Sequence, residues 1–524
     1  MIDSVPTATG SLADQYDVAI IGMGPVGITL AKLLGSFGAN VLAIDAAPDI
    51  YDLPRAIGMD QEVMRVFQQI GVADDLAPFI STYRPSEYRT SGGEVIRRFT
   101  SQTPPYPLGW APYLTFLQPD LERVLRHHAA TDSNIDMRTG WELTDIKTDG
   151  QLATLTLREM VTGVVHTTAA RFTVGCDGGT SFVRKHLNIA FEDLIFDEPW
   201  LVVDMIVNED VELPDVNIQF CDPARPHTFV VGPNNLRRWE FMLMPGETPD
   251  EISEVDSVWT LLKPWLDPSQ ARLWRAATYR FHALVAENWR KGNVFLAGDA
   301  CHMTPPFLAQ GMVQGIKDTV NLAWKLDAAL KGADPALLDS YEGERRPLVR
   351  EVISVTKDLG RIICETDVDK AEARNAQMRQ DMVKGRGETV RQNLFPPIGP
   401  GLCCMESDTS DAPGRPAPQP RVETANGWLL LDEITGPCWT VLATDTFDIA
   451  PETRAKAEAL GVSVNAIGPG GLSEEDSVFV DWMTTHKAKA VVTRPDHMVM
   501  AALDHPSGLD AVLDRLARLL SPTS

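Results

Sequence analysis

Residues 16–45 constrain this chain more than any other stretch. Tyr16–Ile21 (YDVAII) is an apolar β-type run, followed by Gly22-Met23-Gly24-Pro25-Val26-Gly27. Ile28, Leu30, Ala31 and Leu34 then recur at helical spacing. Asn40–Ile44 (NVLAI) is a second strand-like run ending at Asp45. Together these make one βαβ unit with a G-x-G-x-x-G turn. The first glycine permits the tight turn, the second lets backbone approach a pyrophosphate, and the third allows close helix–strand packing. Asp45 stands where an acid meets a ribose 2′-hydroxyl. The unit predicts dinucleotide binding, and its position leaves FAD and NAD both open.

A second stretch, Val294–Leu326, has related logic. Val294–Ala297 is a short buried-type strand that delivers Gly298-Asp299 at its tip. Pro305-Pro306-Phe307 forms a rigid turn. From Gly311, the spacing of Met312, Ile316, Val320, Ala323 and Leu326 predicts a helix whose N-terminus points back into the same space. An acid for hydroxyls and a helix end for an electron-rich atom suit a flavin, with its ribityl chain and N1–C2=O edge. A third strand tip, Phe172–Gly175, leads to Cys176-Asp177-Gly178-Gly179 and should return to the same crevice.

Between these motifs, residues 140–174 alternate like a β-meander. Residues 200–244 are strand-rich and carry Phe220, Phe229, Trp239 and Phe241, which predict an antiparallel sheet capping a pocket. Those aromatics are either core or substrate contacts. Gln118 stands at a strand–helix junction, and Arg55 follows the second strand, where it is either a cofactor contact or a surface ion-pair partner. A Pro/Gly-rich segment within 393–420 reads as a linker. Beyond it, 421–524 reads as a small α/β domain, with helices over 451–460 and 508–520 and strand-like runs that include Val478–Trp482.

With 524 residues, the chain predicts two to four domains. A net charge of −25 argues against nucleic acid and anionic membranes as partners. No apolar run approaches the length of a membrane span. The opening MIDSVPTATGSLADQYD has no basic or apolar signal region and reads as a loose arm. The seven scattered cysteines, with no C-x-x-C pair, fit free thiols in a reducing cytoplasm. The ten histidines show no ligand spacing, so no metal is expected.

GMGPVG at 22–27, CDGGTSFVRK at 176–185 and AGDACHMTPPFLAQGM at 297–312 resemble, in order and separation, the dinucleotide, DG and GD motifs of the class A flavoprotein aromatic hydroxylases. FDEPWLVVD (196–204), RRWEF (237–241) and NLAWKL (321–326) look most like the 3-(3-hydroxyphenyl)propionate hydroxylase branch, and YEGERRP (341–347) is a phrase of the wider family. The resemblance covers about residues 15–365, and the C-terminal portion looks like the thioredoxin-like domain attached in that branch, without its redox cysteines.

The resemblance implies an α/β protein. A Rossmann-like FAD-binding domain (15–195 and 286–392) would be interleaved with an α+β substrate domain built on an antiparallel sheet (196–285), followed by a linker (393–420) and the thioredoxin-like domain (421–524). It implies FAD, with NADH or NADPH as electron donor, and a flavin C4a-hydroperoxide that hydroxylates a phenolic or related aromatic acid. Dioxygen and a small aromatic substrate would be the partners, and a homodimer is a family expectation.

Residue by residue, Gly22, Gly24, Pro25, Val26, Gly27, Asp45 and Ala46 would hold the ADP half. Arg55 and Gln118 would lie along the cofactor, with Arg55 also a catalytic candidate, and Asp177 and Gly178 would support the pyrophosphate side. Gly298 and Asp299 would meet the ribityl chain, while Gly311 and Met312 would face the pyrimidine edge. Pro306 would line the reactive face. Phe220, Phe229, Phe241 and Pro305 are substrate-contact candidates. His302 would handle the phenolic proton or else make a structural hydrogen bond behind the ring. Two departures stand out: Ala309 and Val313 replace a glycine and an asparagine of a GQGMN-like phrase, and Gly179-Thr180 replace Ala-Arg. A Baeyer–Villiger or polyketide-tailoring oxygenase, and a non-oxygenating flavoprotein reductase, are the competing outcomes on this scaffold.

Overall fold

The computed structural model describes residues 10–399, 401–403, 410–444 and 447–521. The arm up to Thr9, Pro400 of the linker and Cys404 lie outside the described residues. Along the chain, the elements that build the site are β1 (Gln15–Ile21), α1 (Pro25–Ser36), β2 (Val41–Asp45), α2 (Gln118–Ala130), β3 (Ile135–Thr139), β4 (Val165–Gly175), β5 (Phe191–Val207), β6 (Asn217–Cys221), β7 (His227–Val231), β8 (Leu236–Met242), β9 (Ala271–Ala286), β10 (Val294–Leu296), α3 (Gly311–Leu330) and α4 (Asp339–Ile363).

Four parallel pairings order one sheet as β10-β4-β1-β2-β3. β1 and β2 are almost wholly buried, which is why they read as continuous apolar runs. The chain leaves β1 towards β2 on one side, while β4 pairs on the other, so the carboxyl ends of β1, β4 and β10 open onto one crevice. The α1 helix crosses α3 directly above it, and both contribute to a single large core.

The second sheet is more composite than residues 196–285 allow. Its order runs from His302–Met303 through β9, β5, β8, β7 and β6 to Ser86–Thr90, Val95–Thr100 and Glu388–Val390. The substrate sheet therefore takes strands from both sides of the predicted boundary, because edge strands pair with whatever extended backbone lies alongside. Its outer face, including Leu201, Val203, Phe229, Trp239 and Phe241, is covered by Val255–Leu262 and the residues after it, forming a separate core.

The C-terminal unit has a four-stranded sheet in the order Ser463–Ile467, Thr440–Thr444, Ala490–Thr493, Val499–Leu503. One parallel pair is followed by two antiparallel pairs, with helices packed against them: a thioredoxin-like arrangement. Val478–Thr485 is helix, not strand. Phe479 and Met483, four residues apart, share its buried face, and Glu474 accepts the amides of Phe479 and Val480. The predicted linker is also corrected. Ala412, Ala417 and Gln419 are fully buried, the Ala417 carbonyl accepts from Arg65, and Gln419 is bonded to Gln68 and to the Leu108 carbonyl. Proline and glycine here shape a packed strap. Among the described residues no helix is long and apolar enough to cross a membrane.

Candidate active site

The strand ends converge on a cleft of about 700 Å³. It runs from Asp45, Ala46 and Trp141, past Gly22, Gly24 and Cys176–Gly178, to Asp299, Gly311, Met312 and Phe281. Gly22, Gly24, Pro25, Val26, Asp45, Ala46, Arg55, Gln118, Asp177, Gly178, Asp299, Gly311 and Met312 all line it, as the sequence reading expects. Gly24 has open space where a side chain would begin, so backbone can approach a ligand there. Gly27 has the opposite reason: a Cβ would lie 1.9 Å from the Gly22 carbonyl oxygen. It packs the turn against α1 and does not reach the cleft.

Several of the lining side chains are already engaged. Asp45 accepts from the amides of Met23 (2.8 Å) and Ala47 (2.9 Å), so it braces the glycine turn as well as facing the cleft. Asp177 accepts from Ser181 Oγ (2.5 Å) and the Val183 amide (3.0 Å). Burial nevertheless lifts its carboxyl above the usual range. Gln118 accepts from the Ala56 amide (2.7 Å) and donates to Glu122 (2.7 Å), which fixes the loop that carries Arg55. Arg55 is half exposed, 3.7 Å from Glu122 and stacked over Tyr51. Asp299 differs: no described group donates to its carboxylate, and the residue is exposed within the cleft. The protein around it lifts its carboxyl above the usual range by desolvation, with His302 and Arg55 acting in the other direction.

At the far end, α3 begins at Gly311 without a side-chain cap. Its first amides and the positive end of its dipole face the cleft. Ala309, which replaces a glycine of the resembled phrase, has φ 49° and ψ 44°. It thus keeps the left-handed conformation the glycine would supply. Val313, the other departure, is fully buried in the core.

Some expected contacts are placed elsewhere. His302 is sealed behind the cleft floor: its Nε2 meets Asp318 Oδ2 at 2.8 Å, and its Nδ1 has no described partner. Gly298 lies in the same layer, with its amide donating to Asp318 (3.0 Å). Arg345 donates to the other Asp318 oxygen (2.9 Å). Burial works to raise the Asp318 carboxyl, but His302 and Arg345 outweigh it and hold it below the usual range. Cys301, His302 and Asp318 lie close enough to share a metal ion. Burial pushes the Cys301 thiol well up, away from the thiolate a metal requires, and Arg345 already occupies the carboxylate.

Phe229 and Phe241 belong to the outer core of the sheet, and Phe220 packs on that same side against His227 and Trp265. The period-two alternation of β6, β7 and β8 sends these three away from the cleft. Pro305 and Pro306 do not line the cleft. They set the turn that sends Phe307 into a cluster with Trp200, Phe281 and Phe196. Residues the sequence reading missed include Glu122, Arg126, Trp141, Thr180, Phe281 and Thr304. Only Phe281 had a local signal, since it ends the Tyr279–Phe281 run beside the motif strand.

The cleft fits FAD: an open glycine turn at one helix N-terminus, an uncommitted acid at its middle, and a second helix N-terminus at its end. A family model described as "FAD binding domain" matches residues 15–356, and one described as "HcaD C-terminal domain" matches residues 414–519. The chain is 34% identical, over 98% of its length and 97% of the relative's, to a Rhodococcus jostii (strain RHA1) protein named "Probable NADH-specific resorcinol 4-hydroxylase". It is 31% identical, over 99% of both chains, to "3-(3-hydroxy-phenyl)propionate/3-hydroxycinnamic acid hydroxylase" of Comamonas testosteroni. Among solved structures, the flavin-dependent monooxygenase PieE, in complex with FAD and substrate, matches with a TM-score of 0.82 at 20% identity, covering 97% of this chain and 99% of that one. Aklavinone-11 hydroxylase, with FAD and aklavinone, matches with a TM-score of 0.76 at 23% identity, covering 96% and 99%. These two likenesses show a shared fold.

Proposed function

This chain belongs to the FAD binding domain family of flavoprotein aromatic hydroxylases, and from that premise we propose that it hydroxylates a small phenol, either a resorcinol-type diol or a 3-hydroxyphenyl acid. It is a flavoprotein monooxygenase that uses FAD and a nicotinamide donor. The names of its curated relatives support the substrate reading, since resorcinol and 3-(3-hydroxyphenyl)propionate share a ring hydroxyl. The relative named as NADH-specific favours NADH as donor. The free cysteines among the described residues fit a cytoplasmic setting.

The observation that carries the reading is the build of the cleft. The amides at the start of α1 receive a pyrophosphate without side-chain interference at Gly24. Asp299, which no described group holds, would accept from the ribityl hydroxyls. The first amides of α3 would face the pyrimidine edge, where oriented donors are worth about 3 kcal/mol once negative charge develops. Gln118 holds the Arg55 loop in place along the cofactor. Phe281, backed by the rings of Trp200 and Phe307, would exclude water beside the ring system. FAD, when bound, supplies electron transfer from the nicotinamide and the activation of dioxygen.

The test is oxidation of NADH and NADPH by the FAD-loaded protein with resorcinol or 3-(3-hydroxyphenyl)propionate under isotopically labelled dioxygen. One labelled oxygen in a new ring hydroxyl is expected. Label inserted into the ring itself would favour a Baeyer–Villiger outcome, and donor oxidation without any incorporation would leave only a reductase.

A further inference from the structure

The inner face of the second sheet is polar where a core would be apolar. One row crosses five strands in register: Val202 on β5, Glu240 on β8, Thr228 on β7, Gln219 on β6 and Tyr88 on Ser86–Thr90. The rows on either side tie this sheet to the FAD half. On one side, Arg238 donates to the carbonyls of Arg55 (2.8 Å) and Pro54 (3.3 Å). On the other, Trp200 packs against Phe281 and Phe307. The Glu240 row therefore lies between a row that holds the Arg55 loop and a row whose Trp200 packs on Phe281, and both Arg55 and Phe281 line the cleft.

Glu240 is the only carboxylate in that row, and it is not committed. Its Oε2 accepts from Thr228 Oγ at 3.1 Å, while no described residue donates to its Oε1. The nearest charges are engaged with one another. Arg238 takes both oxygens of Asp204 (2.7 and 3.2 Å), and Arg275 approaches Asp204 at 3.5 Å with its own Nε and Nη1 otherwise unpartnered. Gln219 Oε1, in the same row, is also buried without a partner. A buried carboxylate with one free oxygen, beside two arginines that favour negative charge, is the arrangement expected around a phenol that must ionise.

Resting on the hydroxylase reading above, we propose that Glu240 is the base that takes the substrate's phenolic proton, with Thr228 fixing its second oxygen. The O–H bond of the phenol breaks, and its proton moves to Oε1 of Glu240. The electron pair stays on the phenolate oxygen and enriches the ring carbons ortho and para to it. The proton returns to the hydroxylated product or passes to solvent as that product leaves. Arg238 and Arg275 stabilise the phenolate, and Asp204 offsets their charge when the site is empty. Burial lifts the Glu240 carboxyl above its ordinary range against the pull of Arg238, which makes it a stronger proton acceptor. The sealed His302 then has no proton-handling role.

The experiment compares wild type, Glu240→Gln and Glu240→Asp as FAD-loaded full chains, with bound FAD read from the visible spectrum. Two substrates are used: resorcinol or 3-(3-hydroxyphenyl)propionate, whichever wild type hydroxylates, and a fluorinated analogue of it that is already ionised at the assay pH. Glu240→Gln should lose about 100-fold or more in hydroxylation of the un-ionised phenol, and far less on the ionised analogue. Glu240→Asp should recover part of the loss. In wild type, the acid limb of the rate profile should be present with the un-ionised phenol and absent with the analogue at pH values above its own ionisation. This second measurement needs no variant. Equal losses on both substrates with FAD retained, no loss on either, or the same acid limb for both would overturn the assignment. If wild type hydroxylates no phenol at all while holding FAD, the hydroxylase reading itself falls, and the assignment falls with it.

Discussion

Replacing Glu344 by glutamine should loosen the hold of the C-terminal domain on the FAD half. Glu344 lies on α4, fully buried, and accepts from four donors: Asn321 Nδ2 (2.9 Å), Lys325 Nζ (2.8 Å), the Leu402 amide (2.9 Å) and Arg494 Nη1 (2.7 Å). Asn321 and Lys325 come from α3 and Arg494 from the C-terminal domain, so one carboxylate joins three segments. Glutamine keeps the volume and one acceptor but removes the charge. Arg494 retains Asp496, whereas Lys325 keeps only Asn321 Oδ1 (2.8 Å) and becomes a buried cation without a carboxylate. Breaking such a pair from one side costs about 3–5 kcal/mol. Burial has already brought the Lys325 ammonium down to about 8, so its loss of a proton places the expected cost near the lower end of that range.

Burial works to raise the Glu344 carboxyl, but Lys325 and Arg494 prevail and hold it well below the ordinary carboxylate range. Because the folded value is depressed, the stabilisation is present above the unfolded value of 4.5 and is lost only as pH falls through the folded value in strong acid. The assay is urea unfolding followed by tryptophan fluorescence, since Trp324 of α3 and Trp439 of the C-terminal domain pack edge-to-face with centroids 5.5 Å apart. An earlier transition at unchanged slope is expected. A loss below about 1 kcal/mol, the value of an exposed ion pair, would refute the reasoning.

Asp299→Ala removes a cleft acid that no described group holds; FAD affinity should fall by about 10- to 100-fold, as one lost hydrogen-bonding charge predicts, read by flavin fluorescence titration. Ala309→Gly relieves left-handed strain of about 1–2 kcal/mol and adds unfolded-chain freedom worth about 0.4–1 kcal/mol, so the melting midpoint should rise by an amount equivalent to about 0.5–1 kcal/mol. Burial brings the imidazole of His497 down to about 4 from 6.5, so between those pH values the unfolded chain binds a proton that the folded chain refuses. Stability should therefore fall by up to about 3 kcal/mol as pH drops from 6.5 to 4, and His497→Gln should flatten that slope in pH-dependent urea titrations.

Local geometry with a fixed chemical purpose was legible in the chain alone. Gly27 must be glycine because of the Gly22 carbonyl, five residues before it, and Asp299 must follow a buried strand to reach the cleft. Such demands act within a few residues, so they leave spacings that can be read: three glycine-and-acid stretches and, from them, the cofactor. The thioredoxin-like C-terminal pattern was legible for the same reason, although Val478–Trp482 reads as a strand, since a short apolar run carries no period long enough to separate the two.

What the chain could not disclose depends on which face of an element meets which neighbour. Phe229 and Glu240 both sit in alternating strands. Only the packing of the Val255–Leu262 helix on one side of the sheet decides that the aromatic goes to that core and the acid to the opposite face. His302 follows Asp299 by three residues, yet a single turn of backbone takes it under the floor to Asp318. The strap at 412–420 is rich in the residues of a linker but is buried, because the cost of ordering it is offset by contacts with residues more than 300 positions away, such as Arg65. Sequence determined the cofactor through short-range necessity; tertiary structure decided the substrate wall, because long-range packing assigns each face.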